Sequence, residues 1–320
     1  MSVRRSAFSS AAPAAVDSHG REVRSLRLSV TQRCDLACSH CHREGQAPAS
    51  EEMTASEIAK IVRVASRLGV RKVKLTGGEP LLRSDICDIV SSISPLVSEV
   101  SLTTNGSNLS EMAGPLRSAG LRRINVSLHT LDGRRYERLC GVDIVDKVVE
   151  GVASAVEAGL SPVKVNMVVL KDLNVQDISP MIDFCCDVGA ILQLIEYMAD
   201  RDAENGREFA EKFYSLKDTE TMLAKRACGF SVNEIHRRRK YHIDNNGRPV
   251  TVEVVRPMHN TEFCANCTRI RVSSDGKVKP CLLDRSGTVD LLTPLRQGAD
   301  DASLAELFLK CVANRRPYWS

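Results

Sequence analysis

Cys34-Asp35-Leu36-Ala37-Cys38-Ser39-His40-Cys41 places three thiols within eight residues. Thiolate is a soft ligand suited to iron–sulfur clusters, zinc or copper(I). Three cysteines are one short of the four that close a [4Fe–4S] cluster, which leaves one iron open to another ligand. The bland alternative is a zinc knuckle. A second group, Cys264-Ala265-Asn266-Cys267, is followed after thirteen residues by Cys281. A zinc ribbon would need a second close pair, and Cys281 stands alone. His259 could complete a three-cysteine, one-histidine zinc site, so this group by itself suits zinc and a cluster equally. Beside the first triad, a second cluster with one open iron is the better reading.

Between the later cysteines, Thr268-Arg269-Ile270-Arg271-Val272 alternates as a strand does, so Arg269 and Arg271 leave one face together. Two guanidinium forks beside a metal site suit a phosphate-bearing substrate. Arg27, Lys74 and Lys164 fall on further predicted strands and are expected to face the same interior. Inward cations need anionic partners, because unpaired buried charge is costly, and a triphosphate would supply them. Gly77-Gly78-Glu79-Pro80 offers a backbone that can approach a ligand closely. By contrast, Arg237-Arg238-Arg239-Lys240 reads as a solvated face and is assigned no site.

A repeated grammar of strand, helix and glycine positions these residues. Leu26–Val30, Val73–Leu75, Val100–Thr103, Ile124–Leu128, Val163–Val169 and Ile191–Glu196 read as strands. Helices are expected from Thr54 to Leu68, Ser84 to Val97, Asp143 to Gly159 and Ile178 to Gly189, with Thr54 and Glu57 as a capping box. Six β–α units imply a parallel sheet with right-handed crossovers. That is short of a full eightfold barrel, so the predicted fold is α/β, an open three-quarter TIM-like (β/α)6 barrel. The cysteine triad, the Gly-Gly motif, Thr103–Gly106, Ser127, His129, Glu196 and Met198 all fall at C-terminal strand ends. In β/α barrels that face carries the active site.

Composition fits this picture. The 320 residues are 43% hydrophobic and 26% charged, an ordinary globular balance. No apolar run is long enough to span a membrane, and a net charge of +4 gives no reason to expect nucleic acid. Of twelve cysteines, six fall in the two tight groups and the other six show no framework spacing; with no secretion signal, reduced thiols in the cytoplasm are expected. Residues 1–20 read as a flexible tail in preference to a transit peptide. Residues 21–235 are expected to form the barrel, with 199–235 as connecting structure, and 236–320 a C-terminal extension carrying the second cluster.

The first triad is that of the radical S-adenosylmethionine (SAM) enzymes, which this stretch resembles. There, SAM chelates the open iron and is cleaved by one electron to a 5′-deoxyadenosyl radical. With the second triad added, residues from about 20 to the C-terminus resemble the GTP 3′,8-cyclase family of molybdenum-cofactor biosynthesis. The match includes Leu26–Thr31, Thr76–Pro80, Leu102–Gly106, Arg123–Leu128 and Phe263–Arg271. The resemblance implies two [4Fe–4S] clusters, one on Cys34, Cys38 and Cys41 and one on Cys264, Cys267 and Cys281. It implies SAM contacts by Gly78, Ser127 and Met198, with His40 where many members have an aromatic residue beside the cofactor. It implies GTP contacts by Arg27, Lys74, Thr103, Lys164, Arg269 and Arg271.

The implied reaction removes the ribose 3′ hydrogen and joins C3′ to C8 of guanine, giving 3′,8-cyclo-7,8-dihydro-GTP. The implied partners are a cyclic pyranopterin monophosphate synthase that takes the product and an unidentified electron donor. There is room for a homodimer. The chain departs from the family pattern at Gln193, where an arginine is characteristic, at His129, where an acid is usual, and in lacking a C-terminal Gly-Gly. Cys41–Gly45, Gly189–Gln193 and the Pro-Tyr-Trp ending resemble the archaeal-type branch. The competing expectations are a radical SAM enzyme acting on another nucleotide, a modified substrate or a peptide, and a non-catalytic metal-binding module.

Overall fold

The computed structural model describes residues 14–46, 49, 51–232, 237–284 and 286–319. Twelve strands form one sheet: β1 (Ser25–Ser29), β2 (Lys72–Thr76), β3 (Glu99–Thr104), β4 (Arg123–Ser127), β5 (Val163–Val169) and β6 (Ile191–Glu196), then β7 (Ala227–Val232), β8 (Arg239–Asn245), β9 (Arg248–Val255), β10 (Arg269–Val272), β11 (Lys277–Lys279) and β12 (Val289–Asp290). The first six lie in sequence order and pair in parallel. Each expected helix is present, the first as Ala55–Arg67 with the Thr54–Glu57 capping box formed. The second is shorter than expected, Ile86–Ile93, and runs on through the single turn Ser94–Leu96.

Alternation along the strands explains the layering. Leu26, Leu28, Val73, Leu75, Leu102, Ile124, Val126, Val165, Leu192 and Leu194 are fully or almost fully buried in the apolar core, where the crossover helices lie. The intervening residues include Arg27, Lys74, Ser101, Thr103, Arg123, Asn125, Lys164, Asn166 and Gln193, so the interior face is polar on every strand. A parallel sheet covered on both faces would read as continuous apolar runs. This one does not, because its inner face lines a site.

The sheet does not stop at six strands. β9 joins β6 in parallel, with Gln193 beside Glu253, and β10 joins β1 in parallel, with Arg27 beside Arg271. The C-terminal segment thus extends both edges of the barrel sheet, and eight parallel strands run in the order β10-β1-β2-β3-β4-β5-β6-β9. β8 and β7 flank β9 antiparallel, and β11 and β12 flank β10.

Two expectations need correction. Residues 1–20 were expected to form a flexible tail. Residues 1–13 lie outside the described residues, but Ala15 and Asp17 are buried, and Ala15 N–H donates to Leu68 O at 2.9 Å. Residues 199–235 were expected to be connecting structure with helix-like stretches; the helices Arg207–Lys212 and Lys217–Arg226 are there, but the segment also adds the edge strand β7, which was not expected. β7, Ala-Cys-Gly-Phe-Ser-Val, carries only Phe230 and Val232 as strand formers beside a glycine, too little for its alternation to stand out.

Candidate active site

The first cysteine loop leaves β1 and is fastened from two sides. Gly78 N–H donates to Thr31 O at 2.8 Å and Glu79 N–H to Arg33 O at 2.7 Å. A Cβ on Gly78 would lie 2.1 Å from Arg33 O, and one on Gly77 would lie 2.7 Å from Thr31 O. The glycine pair therefore allows two backbones to touch, which side chains would forbid. Glu79 is fully buried and accepts from Leu81 N–H, Thr104 Oγ1 and Asn105 N–H at 2.9, 2.7 and 2.6 Å. Burial still raises its carboxyl to about 7 against those hydrogen bonds. On the other side, Ala37 and Ser39 N–H donate to Cys140 O and Leu139 O, both at 2.9 Å.

Cys34 and Cys41 are exposed at this mouth and Cys38 is half-buried. The Cys140 thiol, then burial, raise the Cys38 thiol, and burial raises Cys34 to about 11. His40 Nε2 lies 3.0 Å from His129 Nε2, and buried His40 Nδ1 has no hydrogen-bond partner. Ser127 closes β4, and Met198 follows β6, where it packs against Met258, Cys264 and Trp319.

The second cysteine group lies in the stretch that leads into β10, the strand beside β1. Cys264 lies in a short helix, Thr261–Ala265, capped by Asn260, whose Oδ1 accepts from Phe263 N–H at 2.8 Å. Arg21 donates to Cys264 O and Arg315 to Cys267 O, each at 2.7 Å, and Arg315 also pairs with buried Asp17 at 3.1 Å. Burial would raise the Cys267 thiol, but Arg269 and then Arg315 and Arg21 outweigh it and favour thiolate. Trp319 N–H donates to Cys264 Sγ at 3.4 Å. His259 Nε2 lies 3.0 Å from Glu204 and the ring packs 4.2 Å from that of Trp319, so the histidine that a zinc reading would recruit is engaged elsewhere.

Among the described residues the sulfurs do not converge to metal-binding distance. The fit to clusters rests on the donor sets: each group offers three cysteines, and the histidine beside the second, His259, is held by Glu204 and Trp319. Soft, all-sulfur sets with one position lacking suit iron–sulfur clusters with an open iron.

Between the two groups lies a pit of cations. Arg27, Lys74, Arg123, Lys164, Arg238, Arg269 and Arg271 act on one another's charge. They share the carboxylates of Glu44, Glu99 and Glu253. Glu44 lies 3.6 Å from Arg27 and 2.5 Å from Arg271, Glu99 lies 3.4 Å from Arg123, and Glu253 pairs with Lys164. Lys74 instead donates to Asn125 at 2.6 Å, and Asn125 to Asn166 at 3.0 Å. Burial, then Arg27 and Arg123, push the Lys74 ammonium well below its usual range, and burial brings Lys164 to about 8. Burial would raise Glu44 and Glu253, but the facing cations outweigh it and bring both to about 2. Among the described residues, several buried polar atoms here have no partner: Thr76 Oγ1, Thr103 Oγ1, Arg123 Nε, Arg238 Nε, Arg269 Nε and Glu253 Oε1. Buried polar atoms are ordinarily paired, so this concentration marks a space shaped for a polar, anionic ligand.

Arg238 is a further correction. Expected on a solvated face, its side chain is 19% exposed and turned towards Glu253, while Arg237 reaches out to Glu262. Glu44 and Glu253 were also missed. Glu253 has a legible signal, an acid in an otherwise apolar strand, Thr251-Val252-Glu253-Val254-Val255. Glu44 has none, because a turn with positive φ at Arg43, Glu44 and Gly45 carries it to Arg27.

Residues 28–185 match the Radical SAM superfamily and residues 190–320 match Molybdenum Cofactor Synthesis C. A probable GTP 3′,8-cyclase of Pyrococcus horikoshii is 49% identical over 95% of this chain and 98% of its own length. One from Thermococcus kodakarensis is 51% identical over 95% and 99%. Among solved structures, Streptococcus suis SuiB bound to precursor peptide SuiA superposes with a TM-score of 0.66 at 19% identity, covering 94% of this chain and 67% of that one. A histidine-tagged anSMEcpe with bound AdoMet gives 0.54 at 15% identity, over 89% and 81%. These likenesses show the fold. The chain belongs to the radical SAM superfamily and, within it, to the family of these archaeal GTP 3′,8-cyclases.

Proposed function

We propose that this protein is a GTP 3′,8-cyclase, converting GTP to 3′,8-cyclo-7,8-dihydro-GTP in the first step of molybdenum-cofactor biosynthesis. The observation that carries the reading is the polar, cation-rich pit between two all-cysteine triads, in a chain about half identical to relatives of that name. Cys34, Cys38 and Cys41 hold one [4Fe–4S] cluster and Cys264, Cys267 and Cys281 the other, with SAM at the first. When bound, these groups supply the one-electron chemistry that starts ring closure.

The chain itself binds, orients and shields. Arg27, Lys74, Lys164, Arg269 and Arg271 face the triphosphate, and the partnerless Thr103 hydroxyl donates to the nucleotide. Gly78, Ser127, Met198 and His40 line the SAM side. Holding the nucleotide between two fixed walls supplies orientation, and the barrel interior keeps quenchers out. Glu44 already neutralises Arg27 and Arg271, so the phosphates must share or displace it.

Among the described residues, no helix is long and apolar enough to cross a membrane. We place the enzyme in the cytoplasm, with a reductant as electron donor and a pyranopterin-forming enzyme taking the product. The test is the double substitution Arg269→Ala, Arg271→Ala. GTP turnover should fall at least tenfold while iron and sulfide content stay at the wild-type level. Undiminished turnover would remove these arginines from the site.

A further inference from the structure

We propose that Arg238 is a phosphate-binding residue of the nucleotide site, supplied to the barrel from outside its parallel strands. The inference rests on the GTP reading above and adds to it a residue from a segment that otherwise looks like surface.

Three observations carry it. Arg238 precedes β8, which is antiparallel to the barrel, yet its side chain is 19% exposed and folds into the interior. Its neighbours show that this is a choice of face: Arg237 and Arg239 are exposed, and Arg237 pairs outward with Glu262 at 3.2 Å. Inside, among the described residues, Arg238 is not held by a hydrogen bond at Nε, which is buried, and the nearest carboxylate oxygen, Glu253 Oε1, is 3.8 Å away and also unbonded. The other oxygen, Oε2, already accepts from Lys164 and Gln193. A guanidinium is built for paired, planar hydrogen bonding to carboxylate or phosphate, and Glu253 does not provide it.

The third observation is company. The Arg238 charge acts on Arg27, Lys74 and Lys164, and those of Arg123 and Arg269 act on it. It therefore stands among side chains from β1, β2, β4, β5 and β10. A buried cation facing five others is unfavourable until an anion arrives. Arg238 thus supplies positive charge beside β6, where the inward residue is the neutral Gln193. Gln193 reaches the same carboxylate, so a cation at either position would serve the same part of the site.

The test compares GTP with guanosine, which lacks the phosphates, by equilibrium dialysis against reconstituted enzyme. Wild type should prefer GTP strongly; no preference would overturn the GTP reading itself. Arg238→Gln should weaken GTP about 10- to 100-fold, the loss expected for one charge-assisted contact, and change guanosine less than twofold. Arg238→Lys keeps the charge without the fork and should fall between. Adding Gln193→Arg to Arg238→Gln should recover most of the GTP affinity. If wild type discriminates but Arg238→Gln and Arg238→Lys weaken both ligands equally, or neither, Arg238 is a structural partner of Glu253 and the inference is wrong. Iron content and thermal unfolding identify a misfolded variant; if Arg238→Gln misfolds, Arg238→Lys decides by the same criterion.

Discussion

His129 Nε2 lies 3.0 Å from His40 Nε2, the two imidazoles meeting edge to face with centroids 4.4 Å apart. Val168 N–H donates to His129 Nδ1 at 3.2 Å, so that nitrogen accepts and the His129 proton sits on Nε2. His129 then donates to His40 Nε2, which places the His40 proton on Nδ1, the buried atom without a partner. Two histidines, one on the cysteine loop and one after β4, are a single hydrogen-bonded pair. The pair presents a fixed N–H donor beside the first triad.

His129→Ala leaves Val168 N–H and His40 unpaired in a buried place, so it should cost about 1–3 kcal/mol in urea unfolding of the cluster-free chain. Burial lowers His129 to about 4, below the usual range near 6.5. Between those values the unfolded chain takes up a proton that the folded one refuses, so folding stability falls as pH falls. His129→Gln keeps a donor towards His40 and should flatten that part of the pH profile. An unchanged slope would mean His129 titrates normally.

Glu253→Gln removes the anion that Lys164 and Arg238 face. Breaking a buried pair by removing one partner costs about 3–5 kcal/mol, and Lys164, already near 8, can shed its proton to soften the loss. A destabilisation of about 3 kcal/mol is expected, partly reversed by millimolar inorganic triphosphate. No loss on mutation would show that Glu253 is not the counter-ion.

GTP binding should take up protons. Burial lowers Lys74 well below 10.5 and Lys164 to about 8 in the free protein. Phosphates raise both, so the complex holds more protons around pH 8 and affinity falls as pH rises through that value. Calorimetry in buffers of different ionisation enthalpy measures the uptake. A buffer-independent heat at pH 8 would contradict it.

Gly78→Ala puts a methyl 2.1 Å from Arg33 O, a backbone atom that cannot swing away. The expected cost is about 3 kcal/mol, together with weaker iron retention at the first triad, because the cysteine loop must shift. Wild-type stability and iron content would show that the loop tolerates separation.

The barrel was legible because its code is local. Alternation marked β1 to β6 within a residue or two, and Thr54 with Glu57 marked the first helix. β9 and β10 were harder, since β10 pairs with β1 across more than 240 residues and nothing in Arg269–Val272 names its neighbour. The cysteines and the inward cations Arg27 and Lys74 were readable from type and spacing. Two further charges of the pit were not: Glu44 depends on a left-handed turn, and Arg238 sits in a run of four basic residues of which the fold turns one inward.

The most direct test is anaerobic reconstitution with iron and sulfide, followed by SAM and dithionite, with and without GTP. GTP-dependent formation of both 5′-deoxyadenosine and, after acid treatment and oxidation, a fluorescent pterin is expected. 5′-Deoxyadenosine without a pterin, or intact SAM in a protein that has bound its iron, would contradict the cyclase assignment.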